Sequence, residues 1–406
     1  MIARQCRLCG ATLGPPFLDL GLSPLSNSLV DESRSDEADV MYPLQAFVCE
    51  RCWLVQVPEY ESPERIFRDY PYFSSYSTTW LDHVRVYAQD MRARLQLDSR
   101  SLVVEVASND GHLLSEFARA GIPVLGIEPA ANVARVAQER GVPTRVEFLS
   151  AAAAERLRAQ ATADLLVANN VLAHVPNLDD FISGLALLLK PGGVLTLEFP
   201  HLLRMIERVE FDTIYHEHFS YFSLATACHA LRRHGLSVFD VEELPTHGGS
   251  LRVYASNDGR SHSRAVDEMV GFEAESGLRK RETYEQFARR SAEVKAALVS
   301  FLRTAREEGG VAGYAAPAKA TTLLNYCGID VDLLPYTVDR SPHKQGRYIP
   351  GVRTPIFAPE RIYETKPKYV LILAWNIAPE IQEQMAGISR WGGRFAVPIP
   401  APEVLA

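Results

Sequence analysis

Residues 101–121 read "SLVVEVASNDGHLLSEFARAG", and the order of residue types within them decides the fold. Leu102 to Val106 is an apolar run of the length of a buried strand, and "HLLSEFARA" spaces its apolar side chains as one helical face does. Between them lies a turn of small and polar residues, "ASNDG". Strand, small-residue loop and helix in that order open a doubly wound α/β sheet, whose ligands sit outside the carboxyl ends of the strands. The theme recurs. "PVLGIEPAANVARVAQERG" (123–141) is a strand that ends in an acid and enters a helix. "ADLLVANNVLAHVPNLDDFISGLALLLKPGGVLTLEFP" (163–200) gives strand, loop, helix, a Pro-Gly-Gly turn and a further strand. The alternation predicts an α/β fold with an open parallel sheet and helices on both faces.

Further along, "ETYEQFARRSAEVKAALVSFLRTAREEGG" (282–310) is one long helix stopped by Gly309 and Gly310. "VAGYAAPAKATTLLNYCG" (311–328), "LPYTVDRSPHKQGRYIPG" (334–351) and "KYVLILAWNIAPEIQEQM" (368–385) then repeat the strand-loop-helix theme, closing with "RFAVPIP". This is a second, smaller α/β unit, and no short-period repeat runs through the chain.

At the amino-terminal side "CRLC" (6–9) and "CERC" (49–52) are two C-x2-C knuckles flanking a turn-rich stretch. Thiolates of Cys6, Cys9, Cys49 and Cys52 suit a closed tetrahedral zinc site with no open coordination position, so the metal is expected to be structural. Cys228 and Cys327 stand alone, and six cysteines in 406 residues are too few for a disulfide scaffold.

A chain of 406 residues exceeds what one core usually serves, so two or three domains are expected. The formal charge of -8 argues against a broad phosphate-binding surface, and hence against nucleic acid as partner. No apolar stretch is long enough to span a bilayer, and "MIARQCRLCG" lacks the features of a signal peptide. A soluble, cytoplasmic protein with no membrane partner is expected.

The loop after the first strand is not the G-x-G-x-x-G of dinucleotide enzymes. Glu105, Ala107, Asn109 and Gly111 instead resemble, position for position, the E/D-x-G-x-G-x-G loop of class I methyltransferases that use S-adenosylmethionine, with two glycines replaced. Glu128, at the end of "VLGIE", lies where a carboxylate accepts hydrogen bonds from both ribose hydroxyls. Ser108, Pro129, Asn169 and Asn170 complete the expected cofactor-binding set, and "LKPGGVLTLEFP" looks like the late turn and strand of that fold.

Residues 211–223, "FDTIYHEHFSYFS", pack two histidines, a glutamate and two tyrosines into one short run bordered by Phe and Ile. Three readings compete. His216 and His218 would share a face if the run were extended and could hold a metal, but the helical H-E-x-x-H pattern is not met. A structural histidine is the bland reading, strongest for His216, whose role is left open. Proton transfer is the third.

With these pieces the chain resembles the sugar C-methyltransferases that install the 3-C-methyl branch of antibiotic sugars. The resemblance rests on the double knuckle, "DYPYFSSYS", "VVEVASNDGHLL", "YHEHFSYFS", "HGGSLRVY" and the tail from "GYAAPAKATTLLNYCGI" to "DRSPHKQGRYIPG", in that order. It implies a zinc-binding domain (1–65), a methyltransferase domain (66–283) and a carboxyl-terminal Rossmann-like domain (284–406) that contributes to nucleotide-sugar binding. It further implies a dTDP-linked 4-keto-deoxysugar held between the last two; oligomeric state is left open.

Such chemistry needs a base, because a carbon beside a ketone must lose its proton before it can attack a sulfonium methyl. By resemblance that base is His218. Tyr215 and Glu217 would line its pocket, His174 would face them, and Tyr72 would approach the sugar. His247, Ser250 and Arg252 of "HGGSLR" are candidate substrate contacts, against the plainer reading of a tight turn before a strand. In the tail, Lys319, Lys344 and Arg347 can neutralise a pyrophosphate, with Asn325, Asp339 and Gln345 available for sugar or base. Rival readings are methylation of a different nucleotide-linked sugar or carbon, a zinc-knuckle nucleic-acid methyltransferase, and a non-enzymatic zinc module that would leave the His and Tyr cluster unexplained.

Overall fold

The computed structural model describes residues 4–67, 78–160 and 162–405. Val103–Val106 is buried along its whole length, and it runs parallel to Val124–Ile127 on one side and to Ala163–Asn169 on the other. The chain therefore leaves this strand in one direction and returns on the opposite side, which makes the carboxyl end of Val103–Val106 a topological switch point. The complete sheet has the order Ser237–Leu244, Ser250–Ser256, Leu189–Pro200, Ala163–Asn169, Val103–Val106, Val124–Ile127, Thr144–Arg145.

Successive side chains leave a strand on opposite faces, and each face carries its own core. Val103, Leu165 and Val194 pack with Tyr87 and Met91 of the helix Thr78–Leu95 and with Leu114 and Phe117 of the helix His112–Arg119. Val104, Leu166 and Leu195 pack with Leu157, Phe181, Leu185 and Leu231 from the helices Ala151–Arg158, Leu178–Leu188 and Leu224–Arg232. Cys6, Leu8, Cys49 and Leu54 of the knuckles belong to the same second core.

Two expectations change. The sheet is mixed, because Ser250–Ser256 is antiparallel to both of its neighbours. Residues 245–249, which link it to Ser237–Leu244, are too few for the crossover that parallel pairing requires. The Pro-Gly-Gly segment is a bulge inside one strand, Leu189–Pro200, where pairing steps from Ala163↔Leu189 to Leu165↔Val194.

By compactness the chain forms two units, each assembled from separate segments. The first comprises Met1–Gly14, Val48–Leu203 and His218–Arg279; the second comprises Pro15–Phe47, Arg204–Glu217 and Lys280–Ala406. Residues 1–65 are thus divided, with the cysteine knuckles in the first unit and the strand Leu18–Ser23 in the second. The long helix of the second unit spans Arg281–Glu307 and ends before Gly309 and Gly310, whose φ values are 137° and 87°. Its sheet runs Ile356–Phe357, Thr337–Val338, Val311–Tyr314, Tyr369–Ile372, Arg394–Val397, Glu403–Val404. Counted along the chain this is the order 3-2-1-4-5-6 of dinucleotide-binding sheets, with the last strand antiparallel. A second switch point lies between Val311–Tyr314 and Tyr369–Ile372.

Gly111, at φ 74°, lets the first loop turn into its helix directly against the helix Ala131–Glu139. A Cβ there would lie 2.8 Å from Ala137 Cβ and 3.2 Å from Val142 Cγ2. Gly111→Ala therefore adds overpacking to a left-handed backbone and is expected to cost about 2–5 kcal/mol in chemical denaturation. A loss below about 1 kcal/mol would contradict this packing.

Candidate active site

The loop that lacks two of the expected glycines keeps the backbone they would have permitted. Ala107, Asn109 and Gly111 all have left-handed φ, 56°, 49° and 74°. Asparagine tolerates that region and alanine adopts it at some cost, so the residues around them must hold the loop. One of those is Glu128, 5% exposed, whose carboxylate accepts from Asn109 N–H and from Ala130 N–H, each at 2.9 Å. Pro129 between them has no N–H to offer. Burial pushes Glu128 above the usual carboxylate range, with the two N–H groups opposing it. Burial also pushes Glu105 well above that range, and the charges of Asp110, Glu128 and Glu198 add to the effect.

Around the same switch point, buried polar atoms lack hydrogen-bond partners among the described residues: Glu105 Oε2, Ser108 Oγ, Asn170 Oδ1 and both amide atoms of Asn169. Buried polar groups are normally satisfied. A cradle for a ligand rich in donors and acceptors is where such atoms are expected, so the residues present fit a nucleoside-bearing cofactor.

The four knuckle sulfurs all lie within 4.8 Å of one another. Cys6 Sγ and Cys52 Sγ are 3.5 Å apart, and Cys9 Sγ and Cys49 Sγ 3.6 Å. Zn–S bonds of about 2.3 Å in a tetrahedron place sulfurs about 3.8 Å apart, so the set fits zinc closely. Each knuckle is closed by the same turn: Gly10 N–H donates to Cys6 O and Trp53 N–H to Cys49 O, both donors at left-handed φ. Four thiolates leave no open position, which makes the site structural.

His174 ends the short turn Leu172–His174, and its ring centroid lies 4.7 Å from that of His218. The backbone arranges this pairing, because Phe219 N–H donates to Ala173 O at 2.7 Å and so fixes the two loops side by side. The pairs Ser220↔Gln56 and Tyr221↔Val55 hold the next residues, and Tyr221 packs edge-on to His218 at 5.9 Å. His216 faces elsewhere: its Nε2 is 3.2 Å from Pro43 O, its ring meets Tyr42, and burial lowers its pKa. Among the described residues, the group of His, Cys and carboxylate ligand atoms gathered tightly enough for a metal is the cysteine cluster, and neither histidine belongs to it.

Sequence reasoning missed a buried network on the first unit's sheet. His83 Nε2 lies 2.8 Å from Glu198 Oε2, and Arg252 Nε donates to Glu198 Oε1 at 2.7 Å. The Arg252 guanidinium also pairs with Glu242 and stacks over Tyr87. Burial works to raise Glu198, but His83 and Arg252 outweigh it and hold the carboxylate below its usual range. Arg252, expected at the substrate, makes these contacts within the sheet, and Ser250 donates to Thr246 O. His247 has left-handed φ 56° and lies beside Trp80. A signal existed: Trp80, Val84, Tyr87 and Met91 repeat at helical spacing, and His83 falls on the same stripe.

In the second unit Glu217, 1% exposed, accepts from Asn27 twice, Oε1 from the backbone N–H at 3.0 Å and Oε2 from the side-chain amide. Burial pushes this carboxyl up to about 7, with the Asn27 donors opposing. Tyr215 is half-buried, and Tyr72 lies outside the described residues. Several tail candidates serve the second switch point. Asp339 accepts from Ala316 N–H and Ser341 N–H, Lys344 donates to Ala316 O, and Gln345 donates to Asp339 O. Asn325 donates to Thr321 O and Pro350 O, Lys319 to Asn376 Oδ1, and Arg347 pairs with Asp31 at the surface.

Comparison with known proteins covers the whole chain. Residues 6–67 match the family model described as "Putative zinc binding domain", 80–241 that of a methyltransferase domain, and 245–400 that of a C-methyltransferase C-terminal domain. C-methyltransferase NovU of Streptomyces niveus is 36% identical over 406 residues, covering 99% of this chain and 97% of that protein. A ubiquinone biosynthesis O-methyltransferase of Methylobacterium nodulans is 32% identical over 27% of this chain and 45% of its own. Among solved structures, magnesium protoporphyrin IX methyltransferase from Synechocystis PCC 6803 with bound SAM is 18% identical, covers 49% of this chain and 99% of its own, and has a TM-score of 0.35. No helix among the described residues is long and apolar enough to cross a membrane.

Two outcomes follow from the site itself. Metal analysis of the purified chain is expected to find about one zinc, lost in Cys49→Ser together with a lower melting temperature; a variant that keeps its zinc would contradict the ligand set. The native state holds the Glu217 proton up to about 7, whereas the unfolded chain releases it near 4.3 or so, roughly the free value. Across that window rising pH favours the unfolded state, so Glu217→Gln should gain up to about 3 kcal/mol on the wild type between acid and neutral pH. Parallel urea stability curves from pH 5 to 8 would refute the raised carboxyl.

Proposed function

The chain belongs to the S-adenosylmethionine-dependent C-methyltransferase family, and from that premise we propose that it methylates C3 of a dTDP-linked 4-keto-deoxysugar after removing the proton there. The observation that carries this reading is the His174–His218 pair, 4.7 Å between ring centroids, held by a backbone hydrogen bond beside a buried carboxyl-bearing segment.

S-adenosylmethionine supplies an electrophilic methyl group on a sulfonium, and zinc supplies folding energy to the knuckles. What the chain's residues contribute is proton handling and orientation. His218 takes the proton from the carbon beside the ketone; the C–H electron pair passes into an enolate, whose carbon would take up the methyl while the pair of the broken sulfur–methyl bond stays on sulfur. An imidazole suits this task because its free pKa lies near operating pH. Tyr215 is placed by sequence to donate to the enolate oxygen, and such donors stabilise charge only as it develops. His174 buttresses the His218 ring, and Glu217, held by Asn27, orients the segment that carries it. Tyr72 would complete the sugar's surroundings.

Glu128 receives the ribose hydroxyls of the cofactor, and Glu105, Ser108, Asn169 and Asn170 satisfy its remaining polar groups. For the diphosphate, Arg347 is suited: its pairing with Asp31 is a surface one, and exchange of such an ion pair costs little. Division of labour among residues 1–65, 66–283 and 284–406, and a cytoplasmic setting, belong to the same proposal. Methylation of another nucleotide-linked sugar or another carbon beside its ketone remains the second reading, since the same base and donor serve it.

Incubation with S-adenosylmethionine and a set of dTDP-4-keto-deoxyhexoses, followed by mass spectrometry and NMR, is expected to show one added methyl on carbon. His218→Asn should lower turnover by about two to four orders of magnitude, the usual worth of a general base, while cofactor affinity stays within twofold. Unchanged turnover in that variant would remove His218 from the role, and methylation at oxygen or of RNA alone would overturn the proposal.

A further inference from the structure

The second unit has the strand order of a dinucleotide-binding sheet, and ligands of such sheets occupy the crevice at the switch point. Residues that emerge there from the first strand and its helix are Lys319, Thr321 and Thr322; those after the fourth strand are Trp375 and Asn376. Their hydrogen bonds go to the chain itself. Trp375 Nε1–H donates to Asp212 Oδ2 at 2.7 Å, Thr322 Oγ–H to Ile214 O at 2.8 Å, and Thr321 Oγ–H to Ser26 O at 2.9 Å. Lys319 extends across the Trp375 ring, 4.1 Å from its centroid, and donates to Asn376. Phe211 packs edge-on to Tyr326 of the same helix. Asp212 and Glu210 are fully buried, and the Lys319 ammonium is the cation whose charge acts on both.

Two segments are therefore held by the residues at this switch point: residues 210–214, which lead straight into Tyr215 and Glu217, and Ser26–Asn27. Asn27 in turn grips Glu217 with two donors, one on each carboxylate oxygen. We propose that the switch-point crevice of the second unit is a seat for the chain's own residues 210–217, and that Asn27, Lys319 and Trp375 are positioning residues that anchor this segment, Asn27 through the buried Glu217, and so present Tyr215 to the substrate. This rests on Tyr215 and the neighbouring His218 serving the reaction proposed above. It also reassigns Lys319, expected from sequence at a pyrophosphate, to the fixing of the catalytic segment.

The test compares Asn27→Ala, Lys319→Met and Trp375→Phe with the wild type, using the dTDP-4-keto-deoxyhexose that the wild type methylates. Trp375→Phe keeps an aromatic ring under Lys319 and removes just the N–H that holds Asp212, so it serves where the other two fail to fold. Positioning predicts a tenfold or greater fall in kcat for Asn27→Ala and Lys319→Met and a smaller fall for Trp375→Phe. KM for the sugar nucleotide should stay within threefold and the dissociation constant of S-adenosylmethionine, measured by calorimetry, within twofold. Wild-type kcat in all three variants would overturn the inference, as would a Lys319→Met variant whose KM alone rises tenfold, which would return Lys319 to the diphosphate. A wild-type chain that methylates no sugar nucleotide would instead sink the function proposed above and leave the variants' comparison to be read from stability alone, where loss of all three contacts without any change in melting temperature would count against the seat itself.

Discussion

One backbone hydrogen bond does more for this site than its energy suggests. Phe219 N–H to Ala173 O, 2.7 Å long, is worth about 1 kcal/mol net in an ordinary ledger. Yet it joins the loop after a central strand to the segment that carries His218, and the two imidazoles meet because of it. Its own geometry is secured by the pairs Ser220↔Gln56 and Tyr221↔Val55 and by Val57 N–H donating to Phe219 O. Arg7, inside the first knuckle, donates to Val57 O and lies over the Phe219 ring. The knuckle is therefore not remote from His218: Arg7 within it donates to Val57 O, and Val57 N–H donates to the carbonyl of Phe219, the residue after His218.

A second constraint is shared by both units. In each, an acid at the end of the second strand accepts from an N–H in the first loop and from the N–H two residues beyond itself. Glu128 does so with Asn109 and Ala130, and Asp339 with Ala316 and Ser341. Each first loop also carries an alanine at left-handed φ, Ala107 and Ala315. The same local solution serves different ends. Around Glu128, Glu105 Oε2 and the amide of Asn169 lack hydrogen-bond partners among the described residues, whereas around the second crevice Trp375, Thr321 and Thr322 spend their donors on the chain.

Much of this was legible in sequence because it depends on local pattern. The strand-loop-helix units, the helix ended by Gly309 and Gly310, the paired knuckles and Glu128 all follow from residue type and spacing. The loop at 107–111 was harder, since its identity lies in backbone conformation that alanine and asparagine reach at a cost glycine does not bear. What escaped is long-range. His83 and Glu198 are 115 positions apart, and Asn27 and Glu217 are 190 apart, so neither pair leaves a local trace. The expected parallel sheet became mixed because a five-residue link, 245–249, cannot make a crossover. For "HGGSLR" the sequence offered both a ligand contact and a tight turn before a strand, and the folded chain has that strand, Ser250–Ser256.

The central claim is that an imidazole of this chain removes a carbon-bound proton before any methyl moves. The direct measurement is proton NMR of a dTDP-4-keto-deoxyhexose incubated in D2O with the enzyme and S-adenosylhomocysteine, which has no methyl to give. The account predicts enzyme-dependent loss of the C3 proton signal, faster than any background exchange and without a change of carbon skeleton. Retention of that signal by a substrate the enzyme goes on to methylate at carbon would contradict it.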